Sequence, residues 1–218
     1  RRSSDLSYFR SSAAYRVRIA LNLKGIAHET AFVHLTRGGG EQKSASFRAV
    51  NPQALVPALE HGGQVITQSL AIMEYLAETF PKAGLLPDDR AARAHCRSVS
   101  GEMHSGFANL RSALPMNVKA HYKGFKVWAG AQPDIDRVVE IWKECLEKSG
   151  GPFLYGKQLT MADAMYAPVC MRFLSYDVTL DKRSAAYCKN IMAWPAMQEW
   201  IEAAKTEPDE MEELDAEF

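Results

Sequence analysis

Two adjacent hydroxyls ahead of two guanidiniums, with no base between them, are the first residues in this chain that could do chemistry. The stretch YFRSSAAYRVRIAL, Tyr8 to Leu21, sets Ser11 and Ser12 after an apolar run and before a basic helix. A serine nucleophile needs a base to take its proton, and no histidine or carboxylate stands beside these two. Their hydroxyls therefore either cap a helix or donate hydrogen bonds to something anionic. A helix start favours anions, because its free N–H groups and dipole place about half a positive charge there. Arg16 and Arg18 add to that potential. Two residues apart, they point about 200° apart around a helix, so at most one faces a ligand at the turn.

The chain that must position them has 218 residues, enough for one large domain or two small ones. Its 26 basic and 26 acidic residues cancel, so no overall charge draws it to nucleic acid or an anionic membrane. Cys96, Cys145, Cys170 and Cys188 are widely spaced. They form no C-x-x-C pair and have no histidine at metal-ligand spacing, so no metal site is expected. Reduced, buried thiols fit a cytosolic setting. No run approaches the ~18 apolar residues of a membrane helix, and RRSSDLSYF has two arginines but no apolar stretch long enough for a signal peptide. The expectation is a soluble cytoplasmic protein.

Hydrophobic periodicity and turn residues predict a strand over Leu6 to Phe9, a helix over Ala14 to Leu23 stopped by Gly25, and a strand over His28 to Leu35. Gly38-Gly39-Gly40 reads as a loop. Leu55 to Leu59 and Val65 to Thr67 flank Gly62-Gly63 as a hairpin, and the NPQ turn with its flanking strands favours a cis bond at Val56-Pro57. Ser69 opens a helix through Phe80. With a helix between the second strand and the hairpin, the order is βαβαββα, an α/β unit over residues 1–80. A linker over 81–89 follows, then an all-α unit over 90–218. Its helices are expected over Ala91 to Leu114, Asp134 to Lys148, Thr160 to Leu174 and Ser184 to Lys205, with Trp194-Pro195 as a helix start. The tail EPDEMEELDAEF reads as a solvated or frayed acidic end.

Three stretches carry a family resemblance: YFRSSAAYRVRIALNLKGI, NPQALVPAL and QSLAIMEYL. The chain resembles the cytosolic glutathione transferases, and over its first domain the zeta class, which includes maleylacetoacetate isomerases. The zeta pattern is Ser-Ser-Cys-x-Trp-Arg-Val-Arg; here Ala13 replaces the cysteine and Tyr15 the tryptophan. GPFLYGKQLTMADAMYAP resembles the family's helix-capping motif. GEMHSGFANLRSALPMN is closer to other bacterial members. The resemblance implies a thioredoxin-like N-terminal domain, an all-helical C-terminal domain that forms the electrophile pocket, and a homodimer.

The resemblance also implies glutathione as the ligand. A free thiol has pKa ≈ 8.5, and a donated hydroxyl at a helix start favours the thiolate. Ser11 is then the first candidate for that donor, Ser12 the second, with Arg16 matching the motif's arginine. Gln68 and Ser69, a plain N-cap on their own, would hold the γ-glutamyl end. The Val56 backbone ahead of Pro57 would pair with the cysteinyl segment in strand fashion. Gln42, otherwise an exposed loop glutamine, would reach the glycyl end.

In the helical half, Arg97, His104 and Arg111 recur every seven residues. They form either a solvated face or a basic stripe for an acidic cosubstrate. Ser105 and Asn109 lie near family positions that contact ligands. Arg172 is a further candidate for an acidic substrate, about one turn before the zeta arginine, whose place Ser175 takes. Thr160-Met161-Ala162-Asp163 reads as a capping box, worth about 1 kcal/mol.

Two enzymatic readings follow from the resemblance. The thiolate of glutathione adds to a small electrophile, giving conjugation; or it adds and leaves again, giving cis–trans isomerisation with glutathione as cofactor. A non-catalytic ligand-binding protein of the same fold is a third. A cysteine-based oxidoreductase is disfavoured, because Ala13 and Ala14 stand where such enzymes keep their thiol.

Overall fold

The computed structural model describes residues 3–7, 12–23, 25–33 and 40–206. Strand β1 (Ser3–Ser7) pairs parallel to β2 (His28–Phe32) and antiparallel to β3 (Ala58–His61). Gly62 and Gly63 take φ of 62° and 84°, the left-handed pair a tight hairpin needs, and return the chain as β4 (Gln64–Thr67). The sheet order is β2-β1-β3-β4. Helices α1 (Ser12–Leu23), α2 (Ala45–Val50) and α3 (Ser69–Thr79) complete the βαβαββα order. Val17 and Leu21 of α1 and Ile72, Met73 and Leu76 of α3 are fully buried. Past α1, Gly25 at φ 60° lets Ile26 N–H reach back to Leu21 O at 3.1 Å.

Several boundaries shift. β1 lies earlier than the apolar run suggests, and Tyr8 and Phe9 fall outside the described residues, as do Ser11, Leu35, Gly38, Gly39 and the tail 207–218. β3 begins at Ala58, because residues 51–57 form a turn with Ala54 at φ 56° and a cis Val56–Pro57 bond.

The second half contains α4 (Arg90–Ser105), α5 (Ala108–Ala113), α6 (Gln132–Ser149), α7 (Met161–Ser175), α8 (Lys182–Met192) and α9 (Pro195–Thr206). The single helix expected over 91–114 is two. A Cβ on Gly106 would lie 2.7 Å from Glu102 O, and Phe107 is left-handed at φ 60°. The apolar spacing of Met103, Phe107 and Leu110 runs through this break, which hides it from a periodicity argument. The seven-residue stripe is broken with it: Arg97 turns away to a bidentate pair with Glu74 of α3, at 3.0 and 3.2 Å.

Helix α7 is buried along almost its whole length. Its start is the capping box: Asp163 Oδ2 accepts Thr160 N–H at 2.8 Å and Thr160 Oγ1–H at 3.0 Å. Asp163 Oδ1 also accepts Leu154 N–H at 3.0 Å and Tyr187 O–H at 3.1 Å. The carboxylate therefore joins three segments rather than one helix end. Residues 81–89 are no loose tether. Leu85 is buried, and its carbonyl accepts Met161 N–H at 2.7 Å.

Candidate functional site

A cleft of ≈ 270 Å³ opens where α1, the 51–57 turn and the start of α3 face α4 and α5. Arg16 projects into it from α1. Its side chain is almost fully buried, and its Nε has no hydrogen-bond partner among the described residues. Burial first, then Arg111 and Arg172, push Arg16 down to about 9, so it keeps its charge at neutral pH. Arg18 lies on the other side of the helix, 3.7 Å from Glu199; of the two arginines, one faces the cleft.

His104 and Arg111 close the opposite wall. Burial, then Arg16 and Arg111, lower the His104 pKa, and its Nδ1 is buried without a partner among the described residues. Among the described residues no carboxylate lines this cleft. A buried cation without a counter-ion costs several kcal/mol, so the arrangement favours an anionic ligand.

The third wall is the start of α3. Gln68 takes φ 69°, a left-handed conformation that costs a non-glycine residue of order 1–3 kcal/mol. Its side chain donates to Gln53 Oε1 at 2.7 Å. Ser69 is buried, with its Oγ unpartnered among the described residues. A free hydroxyl and free N–H groups at a helix start suit a carboxylate. Val56 and Pro57 line the adjoining edge.

The expected residues thus divide. Arg16, Gln68 and Ser69 meet at the cleft, with Val56, Pro57, His104 and Arg111. Four others do not line it. Gln42 sits in a 3-10 turn with Oε1 buried and unpartnered among the described residues. Ser105 is exposed and donates to Gly101 O at 3.0 Å. Asn109 is exposed on α5. Arg172 is buried behind the wall, its Nη1 donating to Arg111 O at 3.2 Å and to Leu114 O. Ser12 is the first residue of α1, and Ser11 lies outside the described residues. A roomier cavity, ≈ 440 Å³, lies between the start of α4 and the end of α6. Burial pushes its thiol, Cys145, up to about 11, and His95 and Tyr155 bond each other at 2.9 Å, so it offers no activated group.

The family model for the glutathione S-transferase N-terminal domain matches residues 10–79, and that for the C-terminal domain matches 117–203. The chain belongs to the glutathione S-transferase family. A maleylacetoacetate isomerase of Rattus norvegicus is 41% identical over 162 residues, 74% of each chain. A maleylpyruvate isomerase of Ralstonia sp is 47% identical over 169 residues, 74% of this chain and 78% of that one. A solved holo maleylpyruvate isomerase, described as a bacterial zeta-class glutathione S-transferase, superposes with TM-score 0.72 at 29% identity. It covers 95% of this chain and 100% of that one.

Three lining residues of this glutathione S-transferase are not among the expected site residues: Ala13, Asn51 and Leu55. Asn51 is buried and shapes the turn, accepting Gln53 N–H at 3.1 Å on Oδ1 and donating Nδ2–H to Leu55 O at 2.6 Å. The Asn-Pro pair is the signal that could have found it, since asparagine side chains build such turns.

Proposed function

We propose that this protein is a glutathione transferase acting on a small electrophile that carries a carboxylate. The observation that carries this reading is Arg16, a buried cation facing a cleft that already holds Arg111 and His104 and no described carboxylate. Residues 1–80 would bind glutathione, 90–218 would shape the electrophile pocket, and 81–89 would join them. Ser69 and Gln68 would hold the γ-glutamyl carboxylate, the Val56 backbone the peptide, and Gln42 the glycyl end. Ser11 or Ser12 would donate to sulfur at the start of α1. Glutathione supplies a thiol that, once deprotonated, can add to an electron-poor carbon. Arg16 and Arg111 would orient the acidic end of the electrophile and neutralise charge that builds up beside it. Cis–trans isomerisation of a maleyl acid is the second reading, favoured by the same cations and by the isomerases among the relatives. On family resemblance the protein is a cytoplasmic homodimer, which sedimentation would check.

The test is the ultraviolet difference spectrum of bound glutathione across a pH titration, for the wild type and for Ser11→Ala and Ser12→Ala. A thiolate band well below pH 8, lost in one variant, supports activation. Binding without the band points to a ligand carrier. Turnover of maleylpyruvate and of a neutral chloronitrobenzene then separates acidic from general electrophiles.

Two further outcomes are expected. Ser69→Ala should raise the KM for glutathione about tenfold, the scale of one hydrogen bond to a charged group. The melting temperature should hold, because this hydroxyl has no described protein partner. An unchanged KM would remove Ser69 from the site. His104 should take up protons when an acidic ligand binds. In the free protein its pKa lies below the ordinary value; an anion beside it offsets the arginine field and raises it. Affinity for maleate should therefore rise as pH falls through the window between the two pKa values. Calorimetry in two buffers of different ionisation enthalpy, just below pH 6.5, reads this directly. Identical enthalpies would show that His104 does not sense the ligand.

A further inference from the structure

Helix α5 has six residues, too few to hold itself in water. The chain enters it through left-handed Phe107, which gives no side-chain cap. Two side chains from other helices hold it instead. At its start, Asp134 Oδ2 of α6 accepts Leu110 N–H at 2.9 Å. At its end, buried Arg172 of α7 donates to Arg111 O and Leu114 O, carbonyls left free by the helix terminus. A carboxylate at the start and a guanidinium at the end both oppose the helix dipole. The one arginine on this strut, Arg111, lines the cleft.

We infer that Asp134 and Arg172 are positioning residues that fix α5 from both ends and so hold Arg111 where it selects an acidic electrophile. The inference rests on the acidic-electrophile reading above. Neither residue lines the cleft, and neither needs to touch the ligand. Arg172 thus serves recognition of an acid through Arg111.

The test uses the full chain with glutathione. The KM for maleylpyruvate and for a neutral chloronitrobenzene, and the Kd for maleate by calorimetry, are measured in Arg111→Ala, Asp134→Asn, Arg172→Met and Arg172→Lys. Arg111→Ala should weaken both acidic ligands about tenfold or more, the scale of a charge-assisted contact, and the neutral substrate far less. Asp134→Asn and Arg172→Met should do the same to a lesser degree. Arg172→Lys, which keeps the charge without the fork, should recover part of the loss. Adding Asp134→Asn to Arg111→Ala should cost nothing further, because the two act as one unit. If Arg111→Ala treats acidic and neutral ligands alike, the acidic-electrophile reading fails. If Arg111→Ala discriminates but Asp134→Asn and Arg172→Met do not, the positioning inference is overturned. Should Arg172→Met not fold, Asp134→Asn and its double variant with Arg111→Ala decide alone.

Discussion

Replacing Arg16 by methionine should make the protein more stable and nearly inactive. The guanidinium is almost fully exposed to protein rather than water, and no described carboxylate compensates it. Exchanging buried ionic groups for well-packed apolar ones commonly stabilises by about 1–4 kcal/mol. For a chain of this size each kcal/mol moves the midpoint by roughly 2–4 °C. The gain should depend on pH in a defined direction. Arg16 is held below its ordinary value, near 9, so the folded protein binds fewer protons than the unfolded chain above that pH. The cost of the buried charge is therefore complete below pH 9 and relieved above it, and the gap between variant and wild type should shrink as pH rises past 9. Over the same substitution, kcat/KM for an acidic electrophile should fall by about a hundredfold or more, as for loss of a preorganised charge contact. Thermal melts from pH 6 to 10 with parallel kinetics check both halves. A destabilised variant would show that a partner among the undescribed residues holds Arg16.

Asp163→Ala should do the reverse: unfold the protein easily while sparing the chemistry. A helix cap alone would predict about 1 kcal/mol. The carboxylate instead serves four donors from Thr160, Leu154 and Tyr187 in a fully buried setting. Its loss strands the N–H groups of Thr160 and Leu154 and the Tyr187 hydroxyl, at about 1–3 kcal/mol each. The lower part of that sum, roughly 3–5 kcal/mol, is the range a single substitution reaches, and a midpoint drop of about 6–20 °C follows for a chain of this length. Well below the new midpoint, the KM for both substrates should be unchanged. A melt within 2–3 °C of wild type, the mark of a 1 kcal/mol loss, would show that the four bonds act as a simple cap.

The N-terminal order was legible because turn residues mark it: Gly25, Gly62-Gly63 and the Asn51-Pro52 pair all sit where the backbone turns. Helix α7's start was legible from Thr160 and Asp163. The break at Gly106-Phe107 was not, since hydrophobic spacing continues through it and the second helix rests on tertiary contacts: the buried Leu110 and the bonds from Asp134 and Arg172. The two-residue spacing of Arg16 and Arg18 fixes that they diverge, but not which one is buried; that is decided by what α1 packs against. Arg172 shows a similar limit. Residue type speaks of affinity for an acid, while the partners it finds are carbonyl oxygens fifty-eight and sixty-one positions earlier in the chain.

The four cysteines have a meaning beyond packing. All are buried. Burial pushes Cys96 up to about 12, Cys145 to about 11, and Cys170 well above its ordinary value. Electrophiles react with thiolates, and a thiol held that high supplies almost none at neutral pH. A protein that concentrates an electron-poor substrate beside an activated thiol is exposed to alkylation of its own sulfurs. On the proposed reading the borrowed sulfur is the reactive one, while Cys96, Cys145 and Cys170 are held as thiols, so the enzyme should outlast many turnovers without modifying these three.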